Sequence, residues 1–123
     1  MLRLCFLADP DSIHVQRWAG HFARRGHDVH LVCFYPPRSH LADVRLHFLA
    51  ARPRPADKVA VGGARRWLWG RLPPSLLRLL TWGRYRWQGL ARIVRDIGPD
   101  ILHGHYVTDY AFYATAADFR PLV

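Results

Sequence analysis

Glutamate is absent from the 123-residue chain and lysine is reduced to Lys58, so the charge rests on seventeen arginines and nine aspartates. The formal net charge of +9 excludes an acidic surface and favours anionic partners: nucleic acid, acidic lipid head groups or phosphorylated sugars. Charge alone does not choose among them. Cysteine is scarce too. Cys5 and Cys33 fall inside separate apolar runs, which favours two buried, reduced thiols over a disulfide and does not look like a metal site. No run approaches the roughly 18 uncharged apolar residues of a membrane span. The first apolar run breaks at Asp9, too early for a signal peptide, so the cytoplasm is the expected compartment, with peripheral attachment to the inner face of a membrane as a further expectation. Repeats and low-complexity segments are missing. Glycine is missing from Asp9-Pro10-Asp11-Ser12, the first turn after a strand, which excludes a dinucleotide fingerprint and a phosphate loop there. No serine or cysteine stands in a nucleophile motif with a histidine partner, which disfavours nucleophilic hydrolysis.

What is present folds. Half the residues are hydrophobic and 13% aromatic, enough apolar surface for one core in a chain of ordinary single-domain length. Leu2 to Ala8 reads as a strand buried on both faces. Ser12 follows as an N-cap, and Val15, Trp18, Ala19, Phe22 and Ala23 recur at helical spacing on one face, with His14, Arg17, His21 and Arg24 on the opposite stripe. Gly26 stops that helix. His27 to Phe34 is a second strand, and Val44 to Leu49 alternates as an exposed edge strand does. Arg52 to Lys58 reads as a loop. Ala64 to Ile97 is mostly helical, broken at Pro73-Pro74. Gly98-Pro99 blocks further helix, and Asp100 to His105 is a fourth strand. Thr108 or Asp109 then caps a helix running to about Asp118, and Arg120 to Val123 starts a fifth strand at which the chain is cut off.

Strands alternating with helices specify an α/β doubly wound parallel sheet, Rossmann-like, with the edge strand outermost, then the second, the first and the fourth. The first and fourth strands meet at the topological switch point, where such sheets bind ligands beyond the C-terminal strand ends. Asp9 to Arg17 and His105 to Asp109 are therefore expected to face one another across a crevice.

His103 and His105 share a strand face because side chains alternate with period two. As a metal site the pair lacks a third ligand, for which Asp109 and His14 are only nominal candidates, and no metal is expected. His103, inside the strand, suits a hydrogen-bonded core group. His105, nearer the cleft, suits a general base or substrate contact. The helix start at Ser12, with His14 and Arg17 close by, offers N–H groups to an anion or a sugar hydroxyl, or is merely capped and solvated. Histidines 21, 27, 30, 40 and 47 read as surface residues. Trp67, Trp69, Trp82 and Trp87 interleave with arginines that include Arg65, Arg66 and Arg71. That stretch suits a membrane interface, stacking on nucleic acid, or tryptophans packed on the sheet among solvated arginines. No nucleic-acid-binding signature accompanies it, so no nucleic acid is expected, and Trp67, Trp69, Arg65, Arg66 and Arg71 are the membrane-contact candidates.

In order along the chain, Leu4-Cys5-Phe6-Leu7-Ala8-Asp9, Ser12-Ile13-His14-Val15-Gln16-Arg17-Trp18, Phe22 to His30 with its Arg25-Gly26-His27 core, and Pro99 to Tyr106 together resemble the N-terminal domain of glycosyltransferase family 4. The resemblance implies a GT-B fold and a retaining enzyme, with residues 1–123 as its incomplete acceptor-side domain. It implies a nucleotide sugar as donor, held by a second, missing C-terminal domain, and no other cofactor. The acceptor is then a glycan or a lipid-linked molecule of the cell envelope. His105, in the His-x-His-Tyr motif, is implied beside the transferred sugar and the attacking hydroxyl. Asp9, Ser12, His14, Arg17, Tyr106, Thr108 and Asp109 are placed on the acceptor side. The family's paired glutamates have no counterpart here, so the chain by itself is expected to be inactive. The alternative reading is a stand-alone flavodoxin-like module whose basic helices bind an acidic membrane or a partner subunit.

Overall fold

The first apolar run folds as β1, Arg3–Leu7, in a computed structural model that describes residues 1–38, 40–49, 71–87, 89–106 and 110–123. Alternation along β1 splits its side chains between two cores. Leu4 and Phe6 pack with Val15, Ala19, Val29 and Leu31 on one face. Cys5 and Leu7 pack with Val32, Leu90, Val94 and Leu102 on the other. Helix α1 (Ile13–Arg24) covers the first face. It ends in a Schellman arrangement in which Gly26 N–H donates to Ala23 O at 2.9 Å and His27 N–H to Phe22 O at 3.1 Å. Gly26 supplies the left-handed turn at φ 79°, as that closure requires.

Strand β2 (Asp28–Cys33) pairs in parallel with β1, and β3 (Val44–Phe48) in parallel with β2. Helix α2 (Pro74–Trp87) and helix α3 (Leu90–Ile97) lead back across the other face to β4 (Ile101–Gly104), which pairs in parallel with β1. The order is β3-β2-β1-β4, as the doubly wound reading expects. Pro74 opens α2, where a missing N–H costs nothing. The helical stretch is broken a second time, at Gly89, whose φ of 87° no regular helix adopts.

After β4 the expected helix is present as α4, Ala111–Ala114, continued by a 3₁₀ turn Thr115–Ala117 that ends where expected, at Asp118 with φ 52°. Its proposed caps Thr108 and Asp109 lie outside the described residues, as do the Arg52–Lys58 loop and Ala64 to Gly70. The final residues do begin to add to the sheet, with Leu122 bridging Leu102 in parallel and Val123 N–H donating to Leu102 O at 2.9 Å.

Two side chains depart from the sequence reading. Trp18 is not covered by the sheet but 53% exposed, at the margin of the α1 apolar face. His30 is not on the surface but 5% exposed on β2, because a central strand between β1 and β3 has no solvent face. Leu7, Leu31 and Leu102 are fully covered, and each such burial is worth about 1.5–3 kcal/mol. Surface arginine–aspartate pairs are worth about 0–1 kcal/mol each, so the two apolar faces of the sheet hold the fold.

Candidate functional site

Pairing of β1 with β4 runs to Leu7 opposite Gly104, and His105 N–H continues it by donating to Leu7 O at 3.1 Å. The loops leaving the two strands therefore start side by side. A Cβ at Gly104 would run into the backbone of Ala111, so the missing side chain lets α4 close directly over the end of β4.

The loop after β1 is built by its own polar groups. Asp9 Oδ1 accepts from Asp11 N–H at 2.9 Å, and Gln16 Nε2 donates to Pro10 O at 3.0 Å. The Tyr35 hydroxyl bonds to Asp9, and burial with that bond pushes the phenol well above its usual range. Asp11 takes Arg38 N–H at 2.7 Å. Asp9 thus holds the loop's shape. Ser12 occupies the N-cap position of α1 with extended backbone, yet its side chain makes no cap bond. Its Oγ lies instead 3.4 Å from Tyr106 Oη, which joins the two loops across the crevice.

Tyr106 has φ 69°, a left-handed backbone that is uncommon for a bulky residue and that clusters at functional sites. Its ring meets that of His105 edge to face at 4.5 Å. His105 in turn lies 5.8 Å, ring to ring, from His103. Desolvation, then the charge of His14, holds His105 below the ordinary histidine pKa of 6.5. Desolvation followed by His105 does the same to His103. Both imidazoles are accordingly neutral at pH 7, and a neutral imidazole accepts a hydrogen bond that an imidazolium refuses.

His103 lies among rings: Phe6, its register partner on β1, at 5.5 Å and Trp18, nearly parallel, at 6.2 Å. The sequence expected His103 as a hydrogen-bonded core group; the structure leaves it partly buried, with aromatic neighbours in place of a hydrogen-bonding partner. The Trp18 contact was not read from the sequence. Its signal was there, because His14, Trp18 and Phe22 are spaced four apart and so lie along one ridge of the helix.

Of the sequence-derived candidates, Ser12, His14, His105 and Tyr106 come together, and Asp9 braces them. Arg17 is exposed on α1 and joins none of these contacts. Thr108 and Asp109 lie outside the described residues, as do Arg65, Arg66, Trp67 and Trp69. Arg71 is exposed. Trp82 packs against the core and donates from Nε1 to Thr115 Oγ1 at 2.8 Å, so for this tryptophan the packing reading holds. Among the described residues no three His, Cys, Asp or Glu side chains converge as metal ligands, and no helix is long and apolar enough to cross a membrane.

Residues 12–123 match the family model of the glycosyl transferase 4-like domain. The chain belongs to that family. No curated protein matches its sequence. The matched span of this glycosyl transferase 4-like domain begins at Ser12 and includes α1, β4 and the loop carrying His105. The general chemistry attached to the domain is glycosyl transfer, and its four-stranded parallel sheet with flanking helices has the form of a GT-B half-domain.

Proposed function

We propose that this glycosyl transferase 4-like domain forms the acceptor-side wall of a sugar-transfer cleft, with a nucleotide sugar presented from a second domain. In transfer, an acceptor hydroxyl oxygen bonds to the anomeric carbon as the bond to the nucleotide phosphate breaks, its electron pair leaving with the phosphate and the hydroxyl proton passing along its hydrogen bond to His105. A retaining outcome follows the family resemblance. The domain's task is to hold the attacking hydroxyl. His105 accepts its hydrogen bond and orients the lone pair that attacks, while Ser12, Tyr106 and His14 position the rest of the acceptor. The acceptor itself is a glycan or a lipid-linked glycan.

The observation that carries this reading is the junction of the two loops. Ser12 gives up its capping bond to face Tyr106 at 3.4 Å, beside an imidazole whose surroundings keep it neutral. A fold-only role needs neither.

The test is His105→Ala in protein that carries out transfer, the domain together with its donor-binding domain. Loss of transfer by about a hundredfold or more, the usual scale of a removed proton-handling group, is expected with the fold intact. Transfer within a few fold of the unsubstituted protein removes His105 from the role.

A further inference from the structure

His30 is a buried ionisable side chain that the cleft does not use. It sits at mid-strand in β2, opposite Cys5 of β1 and Arg45 of β3, and points to the face carrying α3. Its Nδ1 lies 2.8 Å from His47 Nε2 on β3. The ring planes are inclined by only 20° with centroids 5.1 Å apart, so the imidazoles meet nitrogen to nitrogen rather than face over face. On its far side, His30 Nε2 is 3.2 Å from Asp28 Oδ1. It is buried, and the contact is too poorly aligned to count as a hydrogen bond.

Charged groups surround the pair. Asp28 is held by Arg3 Nε at 3.0 Å from β1 and approached by Arg45 Nη1 at 3.5 Å from β3. Asp96 of α3 lines the same cavity of about 280 Å³, with Ile93 and Ile97.

We propose that His30 and His47 form an acid-sensitive clasp: the pair carries one extra proton, and a second opens it and detaches edge strand β3 from β2 before the rest of the fold unfolds. A single N–H between two imidazole nitrogens is a hydrogen bond whichever ring supplies it. One additional proton is accommodated, since His30 can donate to His47 through Nδ1 while its Nε2 faces the Asp28 carboxylate. His47 Nε2 must then remain the acceptor. A proton placed there sets N–H against N–H and cation against cation, beside Arg45 and with the carboxylate of Asp28 already engaged.

The surroundings of His47 act in the same direction. Desolvation first, then the charges of His30 and Arg45, hold it below the ordinary value of 6.5. The sign follows. The detached strand protonates His47 near its ordinary pKa whereas the paired strand resists, so pairing is at full strength above pH 6.5 and weakens as pH falls below it. Asp28 behaves oppositely in origin. Burial alone would raise its carboxyl, but the Arg3 and His30 contacts and the charges of His30 and Arg45 hold it below its usual 3.8, so its contribution is lost only in much stronger acid. The two windows are separable. Among the described residues the strand released is the one at the sheet edge.

Amide hydrogen exchange on the 123-residue chain tests this between pH 7 and 5, corrected for the intrinsic rate. The expected result is a loss of protection in Val44–Phe48 that approaches tenfold per pH unit, one proton's worth, while β1 stays protected. His47→Gln, whose side-chain amide can still bond His30 but does not titrate, should abolish that loss. Protection of β3 that tracks β1 throughout, or a pH-dependent loss that persists in His47→Gln, overturns the clasp. Should His47→Gln fail to fold, ¹⁵N spectra of the imidazoles in the unsubstituted chain decide. Mutually dependent titrations of His30 and His47 support the clasp, and two independent ones overturn it.

Discussion

At the residue scale the decisive detail is Ser12, because one hydroxyl cannot both cap α1 and face the crevice. A genuine serine cap is worth about 1 kcal/mol. Since Ser12 Oγ makes no cap bond and lies against Tyr106 Oη, Ser12→Ala should cost well under that in urea unfolding while raising the KM for the acceptor several fold. A full capping loss with an unchanged KM would return Ser12 to the purely structural role that sequence alone leaves open. His105 gives a second expectation. Desolvation and His14 lower its pKa, so the imidazole remains neutral to a lower pH than a free histidine. The acid limb of kcat/KM for transfer should accordingly fall at a pH below 6.5, and His14→Gln, by removing the neighbouring charge, should move that limb back upward. A limb above 6.5 would contradict the assigned surroundings. Strand alternation puts His103 and His105 on one face, and the sequence separated them only by position, His103 inside the strand and His105 nearer the cleft. It did not read Trp18 against His103, since a helical face was taken whole where the tryptophan sits at its margin.

Elements were legible where local chemistry and tertiary packing agree. The Gly26 stop, the Gly98-Pro99 break and the parallel order of strands all followed from turn residues and apolar runs. The second break at Gly89 did not, because a single glycine in a helical pattern is tolerated as often as it terminates. Burial of His30 and half-burial of His47 were missed for a related reason: a polar residue in a strand reads as surface unless its neighbours across the sheet are known. Two glycines that look alike in sequence are required for different reasons, and substitution separates them. Gly26 has φ 79° with nothing within 4 Å of a built Cβ, so Gly26→Ala should cost only the left-handed strain, about 1–2 kcal/mol. Gly104 has no such φ, but its Cβ would run into the Ala111 backbone, which cannot rotate aside. Gly104→Ala should therefore cost as much or more, about 1–3 kcal/mol or above, and should also reduce transfer by shifting the His105 loop. Thermal unfolding of the two variants checks the first part. Equal stability loss with unchanged transfer in Gly104→Ala would show that α4 moves without disturbing His105.

At the scale of the whole molecule, the doubly wound order explains why the sheet has two unlike margins. Helix α1 lies on one face over β1 and β2, and the return through α2 and α3 lies on the other. On the α3 side β2 carries Asp28 and His30, and the edge strand β3 carries Arg45 and His47. On the α1 side, near β4, Leu4, Phe6, Trp18, Phe22 and Ile101 line an apolar cavity of about 220 Å³. Between these margins lie the two cysteines, fully covered. Sequence reading expected them buried and reduced, and the register shows why they cannot pair. Cys5 lies opposite His30, three residues before Cys33, so the sulfur-bearing residues are about 10 Å apart along the strand direction, beyond disulfide reach. Burial pushes the Cys5 thiol up to about 12 and that of Cys33 up to about 11, leaving almost no thiolate at neutral pH. Reaction with an aromatic disulfide reagent must then wait for opening of the fold. Because Cys5 sits on the central strand and contacts the core beneath α3, its labelling should proceed at the rate set by global unfolding and accelerate with urea in step with the unfolding constant. Cys33, at the β2 end where its Sγ meets His47 O at 3.7 Å, should react sooner if β3 opens on its own. Mass spectrometry of single-cysteine variants resolves the two rates. Coincident rates at pH 7 that diverge at pH 5.5, with Cys33 ahead after correction for thiolate content, are expected of a core that opens first at its β3 edge, and rapid labelling of Cys5 in the absence of denaturant would contradict a central strand sealed on both faces.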